Sequence, residues 1–300
     1  MLNRLEQAYL DLFFQLQQQQ WENYAHDAGH DLSQTNQAIG ALLNDPQLEN
    51  PFQRRKGAVW EAIVTRGKVD NHPAVAALRN KLDDWDNYTP TPLPDDRQAA
   101  RLALARNMRS DVLQLLELRQ QIAQQAGFTS YVDLVLAGED LSRPTVVSLI
   151  EQYLNTHLAQ AQALVDKYQI SWTTWFSDLD RLGNLPLEHD QNQLVSRLLQ
   201  QLGLAHCQTG LTIITKPDGF GYTGVLQPGR DVRILLNNNT SLRGLLTLGH
   251  ELGHALAHLN NRNAGLFLTW TTCYDESMAV TMEQIAARLW LTPKQRQVAH

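Results

Sequence analysis

The chain has 300 residues, enough for one large domain or two smaller ones. Hydrophobic residues make up 43% and charged residues 19%, a balance that excludes wholesale disorder. The net charge is −6 and the sequence has no long Lys/Arg-rich stretch, so we expect neither nucleic acid nor a membrane as a partner. Two cysteines cannot form a disulfide framework, and the N-terminal residues lack the apolar core of a secretory signal. Together these features predict a cytoplasmic protein.

Helical periodicity dominates the chain up to about residue 205. The predicted helices cover residues 1–25, 52–66, 73–85, 95–126, a short segment after 130, and 142–168. A linker with three prolines, at 88–96, forbids a helix between the third and fourth of these. His157 belongs to the apolar stripe of the last helix, so we expect it to be a buried core histidine.

Short runs of β-branched and aliphatic residues then indicate a sheet, with strands at 211–215 and 232–236 and glycines between them. A further helix is predicted over 241–260, with Thr240 or Ser241 as its N-cap. The sequence therefore predicts a mainly α fold with a small antiparallel β-sheet beside this last helix.

That helix contains the motif His250-Glu251-Leu252-Gly253-His254. Histidines four residues apart lie about 5–6 Å apart on one helix face, where two imidazoles can bind one ion. Neutral imidazole nitrogens suit Zn²⁺. Glu251 then lies at the flank of the site, where it can accept a proton from water instead of binding the metal. A chance match is expected in about one such chain in a hundred, and the mid-helix position after a sheet favours a metal site.

A catalytic zinc ion normally has three protein ligands and one open position. The candidates for the third ligand are His258, Asp275, Glu276 and Glu283. His258 lies another turn along the same helix and cannot easily reach back to the ion. A carboxylate from a following helix is the better choice, and the remaining acids can orient the histidines by accepting their second ring N–H.

The segment LLNNNTSLRGLLTLGHELGHAL resembles the zinc helix, with its preceding strand, of the thimet oligopeptidase/oligoendopeptidase family. The resemblance implies a helical metallopeptidase fold with zinc ligands His250, His254 and Glu276 and with Glu251 as the general base. It also implies that Glu283, seven residues after Glu276, supports the site. Asp275 is a second supporting acid among the candidates.

The resemblance extends to the segment before the zinc helix. Related peptidases, including the angiotensin-converting type, hold the substrate backbone along a sheet edge there. Gly219, Gly221 and Tyr222 occupy that place and are the predicted substrate-binding residues, since glycine permits close approach of another backbone. Residues 1–205 are similar to the helical roof over the family's channel, which leaves 206–300 as the zinc-binding catalytic region.

One feature of these families has no counterpart here. Their tyrosine and histidine that stabilise the tetrahedral oxyanion lie well C-terminal of the third ligand, so we expect them beyond residue 300 and the catalytic region to be incomplete. Tyr222, Tyr274 and His258 are conceivable substitutes, but we favour none of them.

The predicted function is that of a zinc-dependent peptidase that hydrolyses short peptides with a zinc-activated water and a glutamate base. The alternatives are an inactive fragment or remnant that binds metal or peptide, a zinc carboxypeptidase of the Taq type, and a zinc hydrolase with another substrate. The Taq-type enzymes share a Glu-Ser pair followed by a second Glu, which Glu276-Ser277 and Glu283 match. Cleavage position and oligomeric state stay open.

Overall fold

A computed structural model describes residues 4–45, 61–92, 94, 97–169, 191–217, 220–237, 241–261 and 272–293. Over these residues the protein is mainly helical, as predicted, and it contains a small three-stranded sheet. The helices are α1 (Arg4–His26), α2 (Ser33–Leu43), α3 (Pro73–Asp83), α4 (Arg97–Gln125), α5 (Tyr131–Gly138), α6 (Arg143–Tyr168), α7 (Gln191–Gln201), α8 (Leu242–Asn260) and α9 (Thr272–Trp290). The strands are β1 (Leu211–Lys216), β2 (Tyr222–Gln227) and β3 (Asp231–Asn237).

The helix predictions are confirmed where the chain is described. Residues 61–70 are helical, whereas 52–60 lie outside the described residues. Ser130 is the N-cap of α5, and its hydroxyl accepts a hydrogen bond from the backbone N–H of Asp133. Ser241 is likewise the N-cap of α8, where it accepts from Gly244 N–H at 3.1 Å. Both caps satisfy a donor that the first helical turn leaves without a partner.

The predicted burial of His157 on α6 is wrong. Ile150 and Tyr153 are 53% and 65% exposed, and His157 is exposed too. The helix forms here on its own backbone bonds and on local side-chain contacts such as Gln162 to Asp166. An apolar stripe at helical spacing predicts the helix correctly but does not guarantee a partner for its apolar face.

The sheet is mixed rather than antiparallel, which corrects the prediction. The strand order is β1-β3-β2, with β1 parallel to β3 and β2 antiparallel to β3. The unpredicted strand β2 is the cause. The chain reverses between β1 and β2 and again at the turn around Gly229, and two reversals leave β1 and β3 running the same way. In the order β1-β3-β2, the strand β2 is an outer strand.

The chain divides into two compact units. The first, called the sheet unit below, consists mainly of Leu10–Leu32 and Ile150–His300 and contains all three strands with α7, α8 and α9. The second, the helical unit, consists mainly of Ser33–Leu149. The predicted roles of residues 1–205 and 206–300 as roof and catalytic region stay predictions.

The helical unit packs its helices around small apolar clusters and buried polar contacts. One cluster joins Val75 and Leu82 of α3 to Leu115 of α4. Beside it the hydroxyl of Tyr88 donates to Asp111 at 2.6 Å, and Lys81 lies 2.8 Å from the same carboxylate. No described helix of either unit has both the length and the apolarity that a membrane crossing requires.

The core of the sheet unit is centred on α8. Its apolar residues pack between the sheet and α9, together with buried residues of α7 and β3; the central members are Leu198, Leu199, Val232, Ile234, Leu236, Leu248, Leu252 and Leu256. α8 is therefore buried along most of its length, and the hydrophobic effect fixes its position against β3 and α9.

Two glycines of α8 allow α9 to approach closely. A Cβ at Gly253 would lie 2.5 Å from Ala279 Cα and 2.6 Å from the carbonyl oxygen of Met278. A Cβ at Gly249 would lie 2.9 Å from the Ala286 side chain. Because the Gly253 neighbours are backbone atoms, any side chain there forces the two helices apart.

We expect Gly253→Ala to destabilise the protein by about 1–3 kcal/mol, since the added methyl group clashes with α9 backbone. Gly138→Ala in α5 is the control, because its Cβ would meet Ile63 Cγ1 at an ordinary 3.6 Å. Urea unfolding followed by circular dichroism measures both. Equal midpoints for the two variants would contradict close packing at Gly253.

Candidate metal centre

Two helices bring three potential metal ligands together. His250 and His254 lie on one face of α8 with ring centroids 4.9 Å apart. Glu276, from the first turns of α9, places Oε2 3.4 Å from His250 Nε2 and Oε1 3.9 Å from His254 Nε2. One ligand atom from each of the three residues lies within 4.8 Å of the others, so this cluster could hold a metal ion.

The donor set fits a zinc ion. Two imidazole nitrogens and one carboxylate oxygen form a usual three-ligand set of catalytic zinc sites. Tetrahedral bonds of about 2.0–2.1 Å place neighbouring donor atoms roughly 3.3 Å apart. The 3.4 Å between His250 and Glu276 already matches that separation. The same donors also accept other divalent transition metals, so the cluster alone does not identify the metal.

Two further carboxylates face the other ring nitrogens of these histidines. Asp275 Oδ2 lies 3.1 Å from His254 Nδ1, and Glu283 Oε2 lies 3.3 Å from His250 Nδ1. Each ring thus has one nitrogen towards Glu276 and the other towards a supporting acid. This is the arrangement that holds a ligand histidine in one orientation and raises its basicity.

Asp275 also contacts a third histidine. Its Oδ1 atom lies 3.3 Å from Nε2 of the buried His258, so the carboxylate lies between His254 and His258. His258 was a candidate for the third ligand, but the structure places it against Asp275 and outside the three-residue cluster. Burial raises the pKa of Asp275, yet the two imidazoles outweigh burial and hold that pKa well below its usual range. Burial lowers the pKa of His254, but the Asp275 carboxylate raises it above its ordinary value.

Glu251 lies in the same pocket as the cluster and contacts the sheet. It is 7% exposed, and its Oε2 accepts a hydrogen bond of 2.7 Å from the hydroxyl of Thr223 on β2. A Cβ at Gly221 would lie only 2.6 Å from Oε1 and 2.5 Å from the methyl group of Thr247. Burial raises the pKa of Glu251, although the Thr223 hydrogen bond opposes the shift.

Thr223 is the site residue that the sequence analysis missed. Its hydroxyl is within reach of both the carboxylate and, at 3.1 Å, the carbonyl oxygen of Glu251. No sequence motif includes it. The available signal is its position two residues after Gly221 in a segment already assigned to the edge of the site.

A pocket of about 310 Å³ opens over these groups. It is lined by Gly221, Tyr222, Thr223, His250, Glu251, His254, His258, Asp275 and Glu276. Two of the three predicted substrate-binding residues therefore border the metal cluster, whereas Gly219 lies outside the described residues. The space that a side chain at Gly221 would need is taken by α8 side chains.

The conceivable oxyanion donors are placed differently. The Tyr222 hydroxyl is buried, and burial raises its pKa to about 12. Tyr274 is 51% exposed and is not among the residues that line the pocket. His258 faces Asp275. The expectation that the oxyanion donors lie elsewhere stays a prediction.

No protein-family model, curated protein or solved structure was found to match the chain. The geometry and chemistry of the site therefore carry its functional interpretation.

We expect the protein to bind one zinc ion per chain, because the described donors can surround a single ion. His254→Ala and Glu276→Gln each remove one donor and should weaken binding by at least about a hundredfold in isothermal titration calorimetry. His157→Ala removes an exposed histidine far along α6 and serves as the control. Unchanged affinity in both site variants would exclude this cluster as the zinc site.

Asp275→Asn should leave the stoichiometry at one ion but weaken zinc binding about 10–100-fold, since His254 loses the charge that orients its ring and raises its basicity. Asp166→Asn, an exposed acid of α6, is the matched control. Competition with a chromophoric chelator measures both constants. An Asp275→Asn affinity equal to that of the control would show that the contact has no effect on the site.

Proposed function

We propose that this chain is a cytoplasmic zinc-dependent peptidase that hydrolyses short peptides. The observation that carries the proposal is the buried carboxyl of Glu251, which lies between a cluster of two histidines and a glutamate on one side and an outer strand of the sheet on the other. Metal-assisted peptide hydrolysis combines three components: a Lewis acid, a proton acceptor and a place for the peptide backbone.

In the proposed enzyme His250, His254 and Glu276 would hold the zinc ion. A zinc ion bound there supplies a Lewis acid that polarises a carbonyl group and lowers the pKa of water towards about 7. Asp275 and Glu283 lie beside the Nδ1 atoms of the two rings, the position from which a carboxylate can orient a ligand histidine.

Glu251 is the proposed general base. Its carboxylate accepts the proton of the attacking water and delivers it to the nitrogen of the departing amine. Burial raises its pKa, which makes it a better proton acceptor than an exposed glutamate. Thr223 donates to Oε2, so the carboxylate keeps one orientation between the strand and the pocket.

The peptide would lie extended beside β2. Within the described part of the chain this strand pairs only with β3, so its other edge can pair with an added backbone. Gly221 and Thr223 belong to both the strand segment and the pocket lining, which places such a backbone next to Glu251. The preference for short peptides rests on the resemblance to the oligopeptidase family.

Glu251→Gln tests the mechanism. The amide cannot accept the proton, so we expect hydrolysis of a quenched fluorescent peptide to fall by about 10²–10⁴-fold. Zinc content should stay at the wild-type level because Glu251 is not a ligand. Glu151→Gln, an exposed acid of α6, should keep full activity. Turnover at the wild-type rate by Glu251→Gln with zinc bound would contradict the proposed mechanism.

The second candidate is a protein that binds metal and peptide without cleaving peptides. It is favoured by the described part of the pocket lining, in which the two conceivable oxyanion donors are Tyr222, whose hydroxyl is buried, and His258, which faces Asp275. Stoichiometric zinc, peptide binding and no cleavage by the wild type would support it.

Mass spectrometry of the products separates the other alternative, since a Taq-type carboxypeptidase releases single residues from the C-terminal end.

A further inference from the structure

Four aromatic side chains of the sheet unit form a cluster beside the pocket. Trp21 stacks on Tyr222 with ring centroids 6.3 Å apart, and Tyr24 meets Tyr222 edge-on at 4.9 Å. Phe220 lies 5.1 Å from Tyr24 and 6.2 Å from Tyr222. We call Trp21, Tyr24, Phe220 and Tyr222 the aromatic cluster. These ring separations are those of favourable aromatic pairs.

The aromatic cluster extends from the core to the surface. Trp21 is fully buried, with 0% exposure, and Tyr222 is partly buried. Tyr24 and Phe220 are 38% and 50% exposed. Tyr222 also lines the pocket over the metal cluster. Tyr222 therefore links the exposed rings of Tyr24 and Phe220 to the pocket.

The strand determines which side of the pocket is aromatic. Successive residues of a strand point to opposite faces. Gly221 and Thr223 face α8, because their contacts are with Thr247 and Glu251. Tyr222 and Gly224 face α1 instead, and a Cβ at Gly224 would lie 2.8 Å from Trp21. One face of β2 carries the proposed chemistry and the other carries the aromatic cluster.

Polar contacts hold the aromatic cluster in place. Lys216 of β1 donates to the carbonyl oxygen of Tyr24 at 2.9 Å and lies 3.0 Å from Asp27. Arg233 of β3 lies over the Trp21 ring at 5.8 Å and pairs with Asp231. These contacts bind the end of α1 to the sheet, so the exposed rings are ordered before any ligand arrives.

We propose that the aromatic cluster is a specificity subsite that selects peptides with an aromatic or large aliphatic side chain close to the scissile bond. The inference rests on the proposed function, in that the peptide is taken to pair with the edge of β2. Its side chains then alternate between the two faces of the sheet. The Cβ of a side chain opposite Tyr222 on the α1 face would lie about 4.5–5.5 Å from the Tyr222 Cβ, and Phe220 is the neighbouring ring.

An apolar side chain is the ligand that this surface fits best. Burial against Tyr24 and Phe220 removes exposed aromatic surface from water. The nearby carboxylate of Asp27 already pairs with Lys216. A basic side chain would therefore have to compete with Lys216 for this carboxylate. Lys216 and Arg233, the two cations that contact the cluster among the described residues, already pair with Asp27 and Asp231, so the surface does not favour an acidic side chain.

The test uses a series of peptides made of Gly, Ser and Ala, in which a single Phe occupies each position in turn. Mass spectrometry of wild-type digests should find the cleaved bond at a fixed distance from the Phe. Replacement of that Phe by Ser or Lys should lower kcat/KM about three- to tenfold, the effect of one aromatic contact. Phe220→Ser and Tyr24→Ala should each bring the ratio of kcat/KM for the Phe peptide to kcat/KM for the Ser peptide towards one, with zinc content unchanged. Tyr153→Ala, an exposed aromatic residue of α6, should keep it.

A binding measurement separates this inference from the proposed peptidase activity. Fluorescence anisotropy with the Glu251→Gln protein reports the affinities for labelled Phe, Lys and Ser peptides without turnover. Tighter binding of the Phe peptide, lost in the double variant with Phe220→Ser, supports the subsite even if no peptide is cleaved. Cleavage that ignores the position of the Phe, or equal or better binding of the Lys peptide, would overturn the subsite and leave the peptidase proposal intact.

Discussion

The close packing of α8 against α9 is the constraint on which the rest of the site depends. The histidines belong to α8, whereas Glu276 and the two supporting acids belong to α9. Gly249 and Gly253 let the α9 backbone come within a distance that no side chain would allow. The hydrophobic core between the helices and the sheet fixes their rotation about their axes. The metal cluster is therefore a property of a helix pair and requires no flexible loop among the described residues.

Negative charge is concentrated where α8 and α9 meet. Four carboxylates, those of Glu251, Asp275, Glu276 and Glu283, surround the histidines of α8, and negative charges so close together disfavour one another. Three of the acids contact imidazole rings, and Glu251 accepts a hydrogen bond from Thr223. The proposed zinc ion would supply positive charge beside Glu276, so the protein has a local electrostatic reason to bind a cation as well as a suitable donor set.

Local patterns predicted much of this arrangement, and long-range pairing accounts for what they missed. The four-residue spacing of His250 and His254 needs only a helix, and the caps at Ser130 and Ser241 are local signals. The mixed sheet depends on the pairing of β1 with β3, which a strand pattern does not encode. The Thr223 contact joins residues 28 apart in sequence, and the close approach of Trp21 to Gly224 joins residues that are much further apart. Such contacts exist only after the core has formed.

The central claim is that one zinc ion is held by two histidines of α8 and one glutamate of α9. A crystal structure of the zinc-loaded protein, with anomalous diffraction at the zinc edge, tests it most directly. The account predicts a single peak with bonds of about 2.0–2.2 Å to His250, His254 and Glu276, and with Glu251 hydrogen-bonded to Thr223 but not bound to the metal. An ion bound through Asp275 and His258, or one that takes Glu251 as a ligand, would contradict it.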